Sequence, residues 1–305
     1  MDALAPLIAS AIVAGTPLML AGLGLLVNER SGVINLGSEG MMLMGAIAAF
    51  ATTVGTGSYV LGFLAGAVVA MMMSGFFAWL TIWLGANQVA TGLALSLFGV
   101  GTSAYLGLPY AGDSLQPPQF AIPVLADIPV LGQALFRQHP LVYGSILLCF
   151  AIAWFLGRTR AGLIVRAVGE SPASAHSLGY DVRRIRLACV LFGGVCAGLA
   201  GAFMSLVYTP LWVEGMVAGR GWIALALTTF ATWRPFRVMA GAYLFGGITI
   251  LTYHMQALGV PIASQLLSML PYIATVVVLV LISRNAAWIR LNMPASLGKN
   301  FNPNA

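Results

Sequence analysis

Charge is what this chain has least of. Of its 305 residues only 7% are Asp, Glu, Lys or Arg, against 60% that are hydrophobic. A soluble domain carries about 25% charged residues, so there is too little charge here to cover a soluble surface, and the chain is expected in a membrane. Cysteine is scarce as well. Cys149, Cys189 and Cys196 all fall in apolar segments without metal-ligand spacing. An odd count at membrane depth argues against a disulfide framework, and the three read as small packing residues. No GxxxxGK[ST] occurs, so the chain is not expected to bind ATP through a phosphate loop. No constellation suggests a catalytic or metal site. The alternation of a membrane β-barrel is missing too.

What the sequence has instead is long apolar runs. A membrane helix needs about 20 apolar residues, and runs of that kind lie near 4–27, 33–54, 58–84, 88–108, 141–157, 187–208, 220–232, 238–257 and 263–283. The expected fold is all-α: a polytopic transmembrane helical bundle of about eight or nine spans, with residues 1–305 forming a single transmembrane domain. The run at 220–232 is short and reads as a re-entrant half-helix or part of a broken span. The first run lacks a basic region before it and is too long for a signal-peptide core, so it reads as a retained helix. Small residues recur four apart, at Gly62, Gly66 and Ala70, at Gly194 and Gly198, and at Ala197 and Gly201. Such faces let helix backbones approach closely in lipid.

The basic residues orient the loops. The segment 158–186 holds Arg158, Arg160, Arg166, Arg183, Arg184 and Arg186, six of the 14 basic residues, which places it in the cytoplasm. Arg284, Arg290 and Lys299 place the C-terminal tail there too, and WRPFR (233–237) agrees. The formal charge of +6 is therefore an orientation signal and not a nucleic-acid footprint. The Pro-rich connection 109–140, with Asp113, Asp127 and Arg137, is expected outside. Within 158–186, Ser171 suits a helix cap, Pro172 its first position and Gly179 its end. The resulting helix, Pro172 to Leu178, has only Ala173, Ala175 and Leu178 as apolar residues. A helix so short is unstable alone, so the rest of the chain or a partner must hold it.

Polar groups at membrane depth are costly and mark the bundle interior or a cavity. In VNERSGVINLGSEGMMLMG (27–45), Ser31, Asn35 and Glu39 recur at i, i+4 and i+8. A continuous helix would align them as a stripe and carry Glu39 about 13 Å beyond Arg30. Gly32, Gly37 and Gly40 equally permit a break, so these residues either line a translocation path or hold a helix break. Asn28, Glu29 and Arg30 are expected at the cytoplasmic end, paired with each other and with water. Asn87 and Thr91 share one face of the following polar helix, and Gln88 and Ser96 another; they read as path-lining or as a cap. Arg220 and Trp222 flank the short run as interface anchors or a gate. Glu214 and His254 are expected to be solvated outside. Glu39 is the only acid clearly inside a run, and no internal repeat is visible. Both facts weigh against an ion-coupled secondary transporter, which stays the alternative together with a passive channel or scaffold subunit.

Four stretches come in order: GLLVNERSGVINLGSEGMMLMGA, ANQVATGLALSLFGVG, GLIVRAVGESPASAHSLGYDVRRIRLACVLFGGVCAGLAGA, and GRGWIALAL followed by WRPF. They resemble the permease subunits of bacterial ABC importers for simple sugars, nucleosides and branched-chain amino acids. The likeness is greatest to the sugar/nucleoside branch, where ERSGVxNLGxEGMM, NQVxTGLAL and a tail like PASLGK (294–299) recur together. TFATWRPF departs from the pattern in lacking the Gly commonly found before Trp-Arg-Pro, and Ser96 stands where another polar residue is frequent. The resemblance implies a multi-pass subunit of the bacterial inner membrane that works by alternating access and does no covalent chemistry. It implies a second permease (the same chain or a related one), two ABC ATPase subunits carrying ATP and Mg, and an extracytoplasmic solute-binding protein. No cofactor is implied for this chain and no nucleic-acid partner. In such importers a short permease helix enters a groove on the ATPase. That role falls here on Glu170, Ser171, Pro172, Ala173, Ser174, Ala175, His176, Ser177, Leu178 and Gly179.

Overall fold

The structure is a computed structural model that describes residues 4–117, 120, 135–258, 266–267, 269–283 and 292–302. Its helices are α1 (Leu4–Arg30), α2 (Ser38–Thr56), α3 (Tyr59–Ala78, continued by a π-turn over Trp79–Trp83), α4 (Gln88–Gly107) and α5 (Pro140–Arg158). There follow α6 (Arg160–Glu170), α7 (Pro172–Ser177), α8 (Val182–Phe203, continued by a π-turn over Met204–Tyr208), α9 (Arg220–Phe230), α10 (Pro235–Ala257) and α11 (Leu270–Ser283). Among the described residues there is no strand, only two isolated bridges that tie Ala111 to Trp212 and Ser114 to Leu211. The all-α polytopic bundle expected from the apolar runs is what forms. Among the described residues, six segments are long and apolar enough to cross a membrane: Ala5–Arg30, Tyr59–Trp83, Gln88–Tyr110, Pro140–Arg158, Val182–Tyr208 and Pro235–Ala257. Asp127, Arg284 and Arg290, and part of the last apolar run, lie outside the described residues.

The centre of the bundle is α1, α2, α3 and α8, where Met19, Leu23, Leu26, Met42, Phe50, Phe77 and Phe203 are buried. The small-residue faces seen in the sequence meet there. A methyl group on Gly45 would lie 2.8 Å from Gly198 Cα, and one on Gly66 would lie 2.7 Å from the Gly45 carbonyl oxygen. Real Cβ atoms do not approach so closely, so glycine is required where α2, α3 and α8 converge. The same device seats α4 on α2, since a methyl group on Gly99 would come within 2.5 Å of Gly40 Cα. Without a hydrophobic drive between helices in lipid, this backbone-to-backbone packing is a main source of association.

The short run near 220–232 becomes α9, 11 residues long. At 1.5 Å per residue that is about 16 Å, roughly half of a ~30 Å hydrocarbon core. Positive φ at Ala218 and Gly219 turns the chain into it, and positive φ at Thr232 and Trp233 turns the chain out into α10. It is thus a half-helix set in a hairpin.

Candidate functional site

The signature stretch does not continue as one helix. α1 ends at Arg30, Gly32 takes φ +89°, and α2 starts at Ser38. The polar stripe of Ser31, Asn35 and Glu39 therefore does not exist, and the 13 Å offset estimated for a continuous helix falls with it. Each residue serves the break locally. Ser31 Oγ donates to the Asn28 carbonyl at 2.6 Å, and Asn35 Oδ1 accepts the Gly37 amide at 2.9 Å. Glu39 lies in the first turn of α2 and reaches across to α9, where its carboxylate accepts the Gly219 amide at 2.8 Å and the Gly221 amide at 2.7 Å. Amides of a helix's first turn have no partner within the helix, and the helix dipole favours an anion there. Gly221 is needed for the approach, because a Cβ on it would stand 2.6 Å from Glu39 Cα.

Glu29 and Arg30 are not a solvated pair, which corrects the sequence reading. Glu29 is buried. Its carboxylate accepts the Thr228 hydroxyl at 3.0 Å and the Trp233 indole N–H, both at the far end of α9. Arg30 turns to the backbone, donating to the Trp233 carbonyl from Nε at 3.3 Å and from a terminal nitrogen at 3.0 Å, and to the Asn292 carbonyl at 3.2 Å. The two acids of one short stretch thus hold the half-helix at both ends. Composition and spacing gave no sign of it, since the partners lie about 180 to 200 residues away.

The break is also bound to the C-terminal tail. Arg186 is buried, and among the described residues its guanidinium donates to neutral oxygens: the Ser31 carbonyl at 3.1 Å, the Lys299 carbonyl at 3.0 Å and Ser296 Oγ at 3.1 Å. The Gly298 amide donates to the Gly32 carbonyl at 3.1 Å. Ser296 donates to the Gly169 carbonyl from its amide at 3.0 Å and from its hydroxyl at 2.6 Å. Asn300 Oδ1 accepts from Gln88 Nε2 at 3.1 Å, while Gln88 Oε1 accepts the Ile34 amide at 2.9 Å. Residues 292–302 therefore form a strap joining α6, the α1–α2 break and the start of α4. The sequence flagged PASLGK only as a motif, and Arg186 only as part of the loop's charge.

The short helix of the 158–186 loop is present as α7. Ser171 is its N-cap, accepting the Ser174 amide at 3.3 Å, and Gly179 follows it at φ +87°. Ala175, 3% exposed, packs on Val168 and Val182, with Phe301 of the strap against the same cluster. The strap thus helps hold a helix too short to stand alone. Glu170 accepts the Ala295 amide at 3.4 Å, and His176 meets the Phe301 ring edge-on at 5.6 Å. Pro172 is half-buried, whereas Ala173, Ser174, Ser177 and Leu178 are exposed, Leu178 at 77%.

The remaining candidates separate. Asn87 caps α4, its Oδ1 accepting the Ala90 amide at 3.0 Å. Ser96 donates to the Leu36 carbonyl at 2.8 Å, so it fastens α4 to the break. Thr91 is half-buried and joins neither group. Arg220 donates to the Met216 and Val217 carbonyls at 3.3 and 3.4 Å and lies over the Tyr208 ring at 5.2 Å. Trp222 is exposed beside it. Arg220 also lines a cavity of about 280 Å³ between α1, α9, α10 and α11. Thr249, Thr252, Tyr253 and Gln256 face it at helical spacing from α10, and Tyr272 closes it from α11. Its walls mix hydroxyls, an amide, a guanidinium and ring faces. Among the described residues no three of His, Cys, Asp and Glu gather as a metal site.

Comparison with known proteins gives this architecture a family. Residues 7–282 match the family described as branched-chain amino acid transport system / permease component. A putative glucose ABC transporter permease, TsgC13 of Haloferax volcanii, is 39% identical over 98% of each chain. The nucleoside ABC transporter permease NupC of Lactococcus lactis is 33% identical, over 90% of this chain and 91% of its own length. The guanosine ABC transporter permease NupQ of Bacillus subtilis is 31% identical over 90% of each. No solved structure matches the chain. The chain belongs to the branched-chain amino acid transport permease family, on the side of its glucose and nucleoside ABC transporter permeases.

Proposed function

We propose that this chain is the membrane subunit of an ATP-driven importer for a nucleoside or simple sugar, moving its solute by alternating access. It pairs with a second permease, the same or a related chain, and receives solute from an extracytoplasmic binding protein. ATP and Mg reside on ABC ATPase partners that dock on Glu170–Gly179 from the cytoplasm, where the 158–186 loop and the C-terminal tail lie. The observation that supports this most is the run of packing contacts and hydrogen bonds from α7 to α9. Motion of α7 passes to the strap through the packing of Ala175 and His176 with Phe301, the strap is bonded to the end of α6 through Glu170–Ala295 and Gly169–Ser296, and it is bonded to the break through Gly298–Gly32. From the break it reaches both ends of α9 through Glu29 and Glu39. Differential binding of the ATPase to two conformations then shifts the permease between them, as a population shift requires. The cavity lined by Arg220, Tyr253, Gln256 and Tyr272 suits a solute with hydroxyls and a ring face, and it adjoins the helix that the run of bonds ends on.

The test is purification of the chain from its native membrane in mild detergent. A P-loop ATPase copurifies with it, and the Leu178→Asp variant loses that ATPase while still inserting in the membrane. Its absence from the wild-type preparation, with uptake driven by an ion gradient alone, contradicts the assignment.

A further inference from the structure

A second cavity, larger than the one beside α9, lies apart from the break and the half-helix. It measures about 620 Å³ and opens between α1, α5, α6 and α8. Its long walls are two helix faces: Leu148, Ile152 and Phe155 on α5, and Ile185, Ala188 and Phe192 on α8. Each face covers seven residue steps, so the walls run for about 10 Å. Almost no polar group enters it. In water such a surface would be closed by collapse or by a partner; in a bilayer it is solvated by hydrocarbon.

Its position along the membrane says which hydrocarbon. Arg158 is the last residue of the span Pro140–Arg158 and so marks the interface. The lining of α5 begins three residues before Arg158 and ends ten residues before it, from about 5 to about 15 Å below the interface. That is the depth of one leaflet in a ~30 Å core. Between the lining residues Phe155 and Ala161 in the chain, Arg158 and Arg160 are both exposed, and neither meets a carboxylate among the described residues. Tyr180, whose amphipathic ring suits the interface, also lines the cavity.

We infer that this cavity is a binding site for one acyl chain of an anionic phospholipid, with its phosphate at Arg158 and Arg160. Basic residues beside a gap between membrane helices are the pattern that recognises acidic head groups. The site also touches the transport machinery, because Val165 of α6 forms part of its wall and α6 leads directly into α7. A bound chain holds α6 off α5 and so sets the platform from which α7 projects. This goes beyond the import function and does not depend on it.

Native mass spectrometry of the chain, purified with whatever subunits accompany it and exchanged into micelles holding equal phosphatidylglycerol and phosphatidylcholine, tests the site. One phosphatidylglycerol is retained per chain, favoured over phosphatidylcholine by about thirtyfold at roughly a factor of five for each arginine. The surface variant Arg158→Gln/Arg160→Gln removes the preference without altering the thermal midpoint. Ala188→Trp, which fills the cavity, abolishes retention of either lipid. Equal retention of both lipids by the wild type, or retention unchanged in Ala188→Trp, overturns the proposal. A second copy of this chain seated in the cavity would appear as a permease dimer lost in Ala188→Trp with lipid retention intact, and that result overturns it as well.

Discussion

The buried carboxylate of Glu29 accepts the indole N–H of Trp233, 204 residues further along the chain. The next residue, Arg30, donates twice to the carbonyl of the same tryptophan. Neighbours in sequence thus grip both the side chain and the backbone of a residue in a left-handed turn, at φ +53°. A hydrogen bond to a charged group is worth about 1.5–3 kcal/mol. Trp233→Phe removes the donor while keeping a ring in place, and it leaves a buried carboxylate short of a partner. A loss of about 2 kcal/mol is expected, seen as a lower thermal midpoint in detergent. An unchanged midpoint means the indole N–H does not hold Glu29.

The other end of α9 depends on close approach. Gly221→Ala forces a methyl group against Glu39, whereas Gly247→Ala on α10 meets nothing within 4 Å. Uptake is expected to fall at least about tenfold in Gly221→Ala, the effect of some 1.4 kcal/mol, and to stay at the wild-type level in Gly247→Ala. Glu39→Gln keeps the shape and removes the charge that suits a helix N-terminus, so a smaller loss is expected there. Equal activity of Gly221→Ala and Gly247→Ala contradicts the packing described.

On α7 the two apolar alanines face opposite ways. Ala175→Arg drives a charge into the cluster with Val168, Val182 and Phe301, and it should unseat the helix and the strap together. Ala173→Arg and Leu178→Asp change only the exposed face. Those two should lose ATPase binding at an unaltered thermal midpoint, while Ala175→Arg loses both. A limited-proteolysis pattern for Ala175→Arg identical to the wild type would show that the strap does not rest on this helix.

These contrasts show where sequence reasoning reaches. The Ser171 cap, Pro172 and Gly179 made α7 legible because caps and turn residues act within a few positions. The glycine faces were legible because their period is local, although which helices they join is not. The break at Ser31–Gly37 stood as one of two readings, since Gly32 and Gly37 permit a bend without requiring it. Glu29 and Arg30 read from sequence as surface residues because adjacent opposite charges near a helix end usually are solvated. Their partners, Thr228, Trp233 and Asn292, are brought to them only by the tertiary fold. The strap is not legible in the sequence for the same reason, as nothing local marks Ser296 or Asn300 as the partners of Gly169 and Gln88.

Proton binding bears on the fold just outside the span of α5. His139 caps α5, accepting the Leu141 amide on Nδ1 at 3.2 Å, amid the rings of Phe63, Phe120 and Phe203. Burial pushes its imidazole down from the usual 6.5 to about 4. Between those values the unfolded chain takes up a proton that the folded chain refuses, so stability rises with pH across that window and levels off above it. The contribution is complete above about 6.5 and is lost as pH falls towards 4. His139→Asn, which keeps a capping acceptor, should flatten the midpoint between pH 4.5 and 6.5. A slope unchanged by the substitution assigns the effect to another group.

The most direct test of the whole account is transport by the reconstituted assembly. The chain, its copurified ATPase and its binding protein are placed in liposomes, and uptake of labelled guanosine and of labelled glucose is followed. One of the two solutes should accumulate only with ATP and Mg on the ATPase side, and not at all with Leu178→Asp. Accumulation driven by a proton or sodium gradient without ATP would contradict the account.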